Sequence, residues 1–147
     1  MKQKKCSILT RSRNLLYLDC NGEKKMCFLV WRKLRHELMR LIVEEGMTYF
    51  LCDMKRGMGL SAAELLLRLR DKYPQITVEC VIPFEEYAGG WAEPHRDRYF
   101  DIVARCDKET LLQTRYTPDC MQKQQQYMVD AADCVLIPWN PNRALQR

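Results

Sequence analysis

The sequence predicts an α/β fold in which a mainly parallel sheet lies between layers of helix. Two observations carry that prediction. Short apolar runs stand at residues 5–9, 48–53, 76–82 and 133–139, each the length of a buried strand. Between them lie segments whose apolar residues recur at three- and four-residue steps, the period of an amphipathic helix. Strands alternating with helices imply parallel pairing, because a parallel neighbour is reached only through a crossover.

Lys-Cys-Ser-Ile-Leu at 5–9 forms the first strand, and Thr10 to Asn14 a polar turn. Residues 14–24 fit either a strand or a turn packed on the core, ended by Asn21-Gly22. The clearest helix covers 24–45, with Phe28, Trp31, Leu34, Leu38, Leu41 and Ile42 on one face and Gly46 just past its end. His36 is expected on the solvated face of this helix. The second strand covers 48–53. A glycine-containing turn leads to a helix over 60–73, stopped before Pro74. A third strand at 76–82 ends at Pro83. A loop holding Gly89-Gly90 follows, and Pro94 opens a helix over 94–105. Residues 109–113 form a weak strand. Thr117-Pro118-Asp119 begins a helix running to about Ala131, and the last strand occupies 133–139.

A chain of 147 residues, 47% apolar and 29% charged, is expected to form one domain over 1–147 with a sizeable core. No apolar run is long enough to span a bilayer, and the basic N-terminus lacks the apolar stretch of a secretory signal. The expected location is cytoplasmic, with no membrane partner. The net charge of +5 draws on Lys2, Lys4, Lys5, Arg11 and Arg13. It suits an anionic ligand. Nucleic acid is not the expected partner, since that footprint is a denser basic stripe interleaved with aromatics.

Eight cysteines are present, none in a CxxC pair, beside only two histidines. Zinc modules need close ligand pairs, so no metal is expected. Cys52, Cys80 and Cys134 lie in apolar strand-like runs, where thiols pack as small hydrophobes in a reduced interior.

In parallel sheets, ligands bind beyond the carboxyl ends of the strands. That edge comprises Thr10–Arg13, Asp53–Gly59, Pro83–Glu85, Thr114–Tyr116 and Trp139–Asn140. In the second of these places, the N–H groups around Gly57 to Ser61 are candidates to cradle an anion, with Lys55 or Arg56 adding charge. Ser61 and Glu64 have capping-box spacing, which would make Ser61 an N-cap. The alternative is a plain strand-to-helix turn. Asp53, at the strand end, repels phosphate.

Residues 48–139 resemble the YpsA-like proteins, a branch of the SLOG group of Rossmann-like domains. The likeness rests on Gly57 and Ala62-Ala63-Glu64, and on Ile82-Pro83-Phe84-Glu85 followed by Trp91 and Arg98-Tyr99. It is strongest at Tyr116-Thr117-Pro118, Cys120-Met121-Gln122 and Tyr127-Met128-Val129-Asp130, with Trp139 closing the last strand. Thr10 and Arg13 stand in the family's Thr-Gly-His-Arg turn. The family's Gly-Met-Ala-Leu-Gly-Val-Asp loop reads Asp53-Met54-Lys55-Arg56-Gly57-Met58-Gly59. Its leading glycine has become Asp53 and its aspartate Gly59. The late-helix Arg-Asn is Gln124-Gln125, and the Gly-Gly-Thr turn and final helix after Trp139 are replaced by Asn140-Pro141-Asn142-Arg143.

The resemblance implies a three-layer Rossmann-like domain with a nucleotide or nucleotide-sugar ligand. It calls for no separate cofactor, and homodimerisation is borrowed from related folds. Expected ligand-binding residues are Thr10, Arg13, Asp53, Lys55, Gly57, Gly59, Ser61, Glu64, Pro83, Phe84, Trp91, Tyr116, Gln122 and Asn140. Glu85 is the candidate general base, and loop capping is its structural alternative. Trp91 and Tyr116 either stack on a base or pack as a lid. Arg98 and Tyr99 read as structural. The leading expectation is a binding or sensing domain with weakened phosphate contacts. A nucleotide-processing hydrolase of a glycosidic or phosphate bond is the alternative, and a ligand-free interaction module the third.

Overall fold

A computed structural model describes residues 3–10 and 24–138, with side chains of the first helix from residue 30 onward. The elements are β1 (Lys5–Ile8), α1 (Lys24–Val43), β2 (Tyr49–Cys52), α2 (Met58–Lys72), β3 (Thr77–Ile82), α3 (Glu93–Arg105), β4 (Lys108–Leu111), α4 (Cys120–Ala131) and β5 (Cys134–Leu136). The five strands form one sheet in the order β4-β3-β2-β1-β5, every pair parallel. The expected α/β class and each anticipated element in the described residues are present. Among the described residues, no helix is long and apolar enough to cross a membrane.

The order dictates the layers. From β1 the chain steps through β2 and β3 to β4 in one direction, and right-handed crossovers put α1, α2 and α3 on one face. It then returns past β1 to β5, which puts α4 on the other face. Side chains alternate accordingly. Cys6, Ile8, Phe50, Cys52, Val78, Cys80 and Ile82 pack with Leu34, Leu38, Leu66 and Ile102 in the main core. Leu9, Tyr49, Leu51, Val81 and Met128 form a smaller core under α4.

The α4 face is fastened as much by polar contacts as by apolar ones. Ser7, fully buried on β1, donates its hydroxyl to the Met128 carbonyl at 2.7 Å. Glu79 on β3 is 1% exposed and accepts from the Tyr49 hydroxyl, from Thr110 Oγ1 at 2.8 Å and from the Tyr127 hydroxyl at 2.7 Å. One carboxylate thus joins β2, β3, β4 and α4. Burial pushes the Glu79 carboxyl up, but the three hydroxyl donors outweigh it and hold the group below the usual range.

Candidate functional site

The ends of β1 and β2 meet at one buried carboxylate. Thr10 is 3% exposed and Asp53 1% exposed. The Thr10 N–H donates to Asp53 Oδ2 at 2.8 Å, and the Thr10 hydroxyl lies 2.9 Å from Oδ2 and 3.1 Å from Oδ1. The Lys55 N–H donates back to Oδ1 at 3.2 Å. That return is possible because Met54 adopts a left-handed φ of 59°, which folds the chain over the carboxylate. Lys55 Nζ reaches across to the Thr10 carbonyl at 3.2 Å. Burial pushes the Asp53 carboxyl above its ordinary range, with the Thr10 and Lys55 donors opposing.

Gln124, 2% exposed on α4, completes the junction. Its amide donates to the carbonyls of Asp53 and Val81, each at 2.8 Å, so α4 is tied to the ends of β2 and β3. Beside this knot opens a cleft of about 130 Å³. Thr10, Asp53 and Lys55 form one side, Met121, Gln122 and Gln125 of α4 the other, with Leu9 and Ile137 contributing apolar surface. Its position follows from the topology. The chain leaves β1 towards β2 on one side and arrives at β5 on the other, and the crevice of such a sheet forms at that reversal.

The glycine turn starts the helix earlier than expected. α2 starts at Met58, with Gly57 as its N-cap at φ 91° and no side-chain cap. Ser61 therefore lies one turn inside the helix and is not the N-cap. The N–H groups of Leu60 and Ser61 donate to the carbonyls of Lys55 and Gly57, at 2.9 and 3.0 Å, and so are engaged within the turn. The backbone N–H groups of Thr10 and Lys55 converge on the Asp53 carboxyl. Gly59 is required by that carboxylate, because a Cβ there would stand 2.6 Å from Asp53 Oδ1 and 3.0 Å from the Lys55 Cβ.

Four of the expected residues, Thr10, Asp53, Lys55 and Gln122, share the cleft. The other described ones do not line it. Glu64 pairs with Arg98 at 2.7 and 3.0 Å, and Arg98 Nη2 also lies 3.3 Å from Ser61 Oγ, joining α2 to α3. Pro83 ends β3 in the interior. Phe84 stands edge-on to Tyr87 and Tyr116 at centroid separations of 5.7 and 5.4 Å. Trp91 packs on Tyr87 and Tyr99 at 5.1 and 5.4 Å, while Tyr116 remains 63% exposed. Glu85 is exposed, and its N–H donates to the Thr114 carbonyl at 3.2 Å. Arg13 and Asn140 lie outside the described residues.

Sequence reasoning passed over Met121, Gln124 and Gln125 as site residues. Met121 and Gln122 precede Gln125 by four and three residues, the steps that put side chains on one helical face. Gln124 appeared only as a departure from a family pattern. The apolar surroundings of Glu79 on its strand were the one visible sign of the buried network.

Comparison with known proteins follows the same outline. The YpsA family model, described as the YspA SLOG family, matches residues 19–144. The UPF0398 protein YpsA of Bacillus subtilis is 26% identical over 123 residues, covering 82% of this chain and 68% of that protein. A UPF0398 protein of Bacillus velezensis is 29% identical over 105 residues, covering 70% of this chain and 58% of the relative. One from Halalkalibacterium halodurans is 28% identical over 104 residues, covering 69% and 55%. The chain thus spans little more than half of the length of the latter two relatives.

Proposed function

Because the chain belongs to the YpsA family of SLOG domains, we propose that it binds a nucleotide-derived ligand in the cleft between Thr10, Lys55 and the first turns of α4. The observation that carries this reading is the position and chemistry of the cleft. It lies at the reversal point of a parallel sheet and presents the Lys55 ammonium and the Gln122 and Gln125 amides around a buried carboxylate.

Asp53 shapes what the cleft takes. Its carboxylate already holds the Thr10 and Lys55 donors that an incoming phosphate would use. The ligand's uncharged portion, a ribose or base with hydroxyl or amide groups, suits the Gln122 and Gln125 amides. A volume of about 130 Å³ matches such a portion, being smaller than the roughly 300–1,000 Å³ of a complete small-molecule pocket. Thr10 and Ile137 lead in sequence towards residues 11–23 and 139–147, which lie outside the described part. Binding is favoured over hydrolysis, since Glu85 does not line the cleft and Asp53 is committed to its own hydrogen bonds.

Thermal-shift and calorimetric titrations with adenosine, AMP, ADP-ribose and inorganic phosphate test the reading. A compound carrying a nucleoside is expected to raise the melting temperature by linkage, and phosphate alone is not. Gln122→Ala and Lys55→Ala are each expected to weaken binding about tenfold, equal to roughly 1.4 kcal/mol. Failure of every nucleoside-bearing compound to shift the transition would overturn the proposal.

A further inference from the structure

The two edges of the sheet differ in kind. Among the described residues, neither β4 nor β5 has a strand on its outer side. β4 reads Lys108-Glu109-Thr110-Leu111 and is exposed at all but Thr110. Charged side chains on an edge discourage pairing with another chain. β5 lacks that protection, since Cys134, Val135, Leu136 and the following Ile137 are all uncharged. Apolar groups flank it on both faces. On the α4 face, Ser7 ties α4 to β1, and Gln124 ties it to the ends of β2 and β3. Val135, in register with Ser7, and Ile137 are each left 39% exposed. On the opposite face, a groove of about 340 Å³ lies between α1 and β5. Val30, Leu34, Leu136 and Pro138 line it, with Lys33 and Glu37 beside them.

We propose that β5 is a dimerisation edge, on which a second copy of this chain pairs its own β5 antiparallel about a two-fold axis normal to the sheet. That operator joins the two sheets into one and keeps both α1 helices on the same face, antiparallel to each other. Charge selects this occupant. Lys33 and Glu37 stand one helical turn apart along the same groove. With the helices antiparallel, Lys33 faces the partner's Glu37, and Glu37 faces the partner's Lys33. The patch is therefore complementary to itself, as an isologous interface requires. A groove flanked by one sign of charge would repel its own copy. Glu37 is also held by Arg40, whose Nε and Nη2 donate to it at 3.1 and 2.7 Å, so the carboxylate is ordered before a partner arrives.

Pairing satisfies the outward N–H and C=O groups of β5 and covers Val135 and Ile137 with the same residues of the second copy. A strand of three residues forms few backbone bonds, so side chains on the two faces supply most of the affinity. The expected interface is small, and its dissociation constant is on the order of micromolar. The β4 edge, with Lys108 and Glu109 exposed, offers no comparable apolar surface.

Sedimentation equilibrium of the full chain, from about 1 to 300 μM, tests the proposal. The mass is expected to rise with concentration from 17.5 kDa towards twice that value. Val135→Lys places a charge on the paired edge at a site that already tolerates solvent. It is expected to raise the dimer dissociation constant about tenfold or more, while Glu109→Lys on β4 leaves it unchanged. Lys33→Glu and Glu37→Lys each set like charges against one another across the axis, and each is expected to weaken self-association about tenfold. Mixed together, these two variants are expected to associate, because both ion pairs are then restored. A monomer at every concentration would overturn the proposal. So would a dimer indifferent to Val135→Lys, or one weakened as much by Glu109→Lys. Failure of the two charge variants to associate on mixing would count equally against it, and both changes lie on the helix surface, outside the core.

Discussion

Glu79→Ala is expected to destabilise the fold by about 3 kcal/mol or more in denaturant titration, among the largest effects of any single substitution here. The residue is buried in the middle of the sheet and serves hydroxyls on β2, β4 and α4. Truncation leaves the Tyr49, Thr110 and Tyr127 hydroxyls without their acceptor and opens a cavity beneath α4. Glu79→Gln keeps the volume but offers one acceptor oxygen in place of two, so its cost is expected to be smaller, about 1–2 kcal/mol.

The pH dependence separates charge from packing. The folded-state pKa of Glu79 is depressed, so the folded protein binds fewer protons there than the unfolded chain. Its contribution is present above the unfolded value of about 4.3 and is lost as pH falls through the folded value. The stability gap between the unmutated protein and Glu79→Gln is therefore expected to be widest near neutrality and to close in acid. A gap independent of pH would mean that the carboxylate acts by shape alone. Asp53 runs in the opposite sense. Burial raises it, so the stability linked to its proton is full below the unfolded pKa and is lost as pH rises through the folded one.

The second large effect concerns Gly59. Gly59→Ala is expected to cost about 1–3 kcal/mol, because its Cβ would meet the Asp53 carboxylate at 2.6 Å and the Met54 backbone carbon at 3.2 Å. The carboxylate cannot swing away freely, since Thr10 and Lys55 hold it. Asp53→Gly, in turn, leaves those donors without their acceptor and is expected to cost a similar amount, about 1–3 kcal/mol. The two positions therefore compete for one volume. The family pattern has glycine at the first place and aspartate at the second, and this chain has them exchanged. A carboxylate carried at position 59 would enter the same volume from the helix, where Asp53 enters it from the strand end. Asp53→Gly combined with Gly59→Asp is expected to recover much of the stability that either change alone removes. A double-mutant cycle with no coupling would refute the shared volume.

The same pair shows how far local sequence reading reaches. Asp53 was legible as an acid at a strand end, and its conflict with phosphate was foreseeable from charge alone. Its partners were not, because Thr10 lies 43 positions away and meets Asp53 only once β1 and β2 are in register. The capping-box spacing of Ser61 and Glu64 pointed to an N-cap that tertiary structure did not form. α2 instead begins two residues earlier than expected, and Arg98 of α3 engages Glu64. Gln124 carried no local signal, since a buried glutamine on a polar helix becomes visible only when the strand ends it caps are known.

The α/β class and the identity of the strand carboxyl edge were determined by sequence alone. Both rest on hydrophobic period and on breakers such as Pro74 and Pro83, which act within a few residues. Tertiary structure decided which edge residues share a cleft, why Gly59 must lack a side chain, and how Glu79 is sustained in the interior. Those outcomes depend on donors and acceptors brought together across the sheet by register, and hydrogen-bond complementarity at long range leaves no periodic trace in the chain.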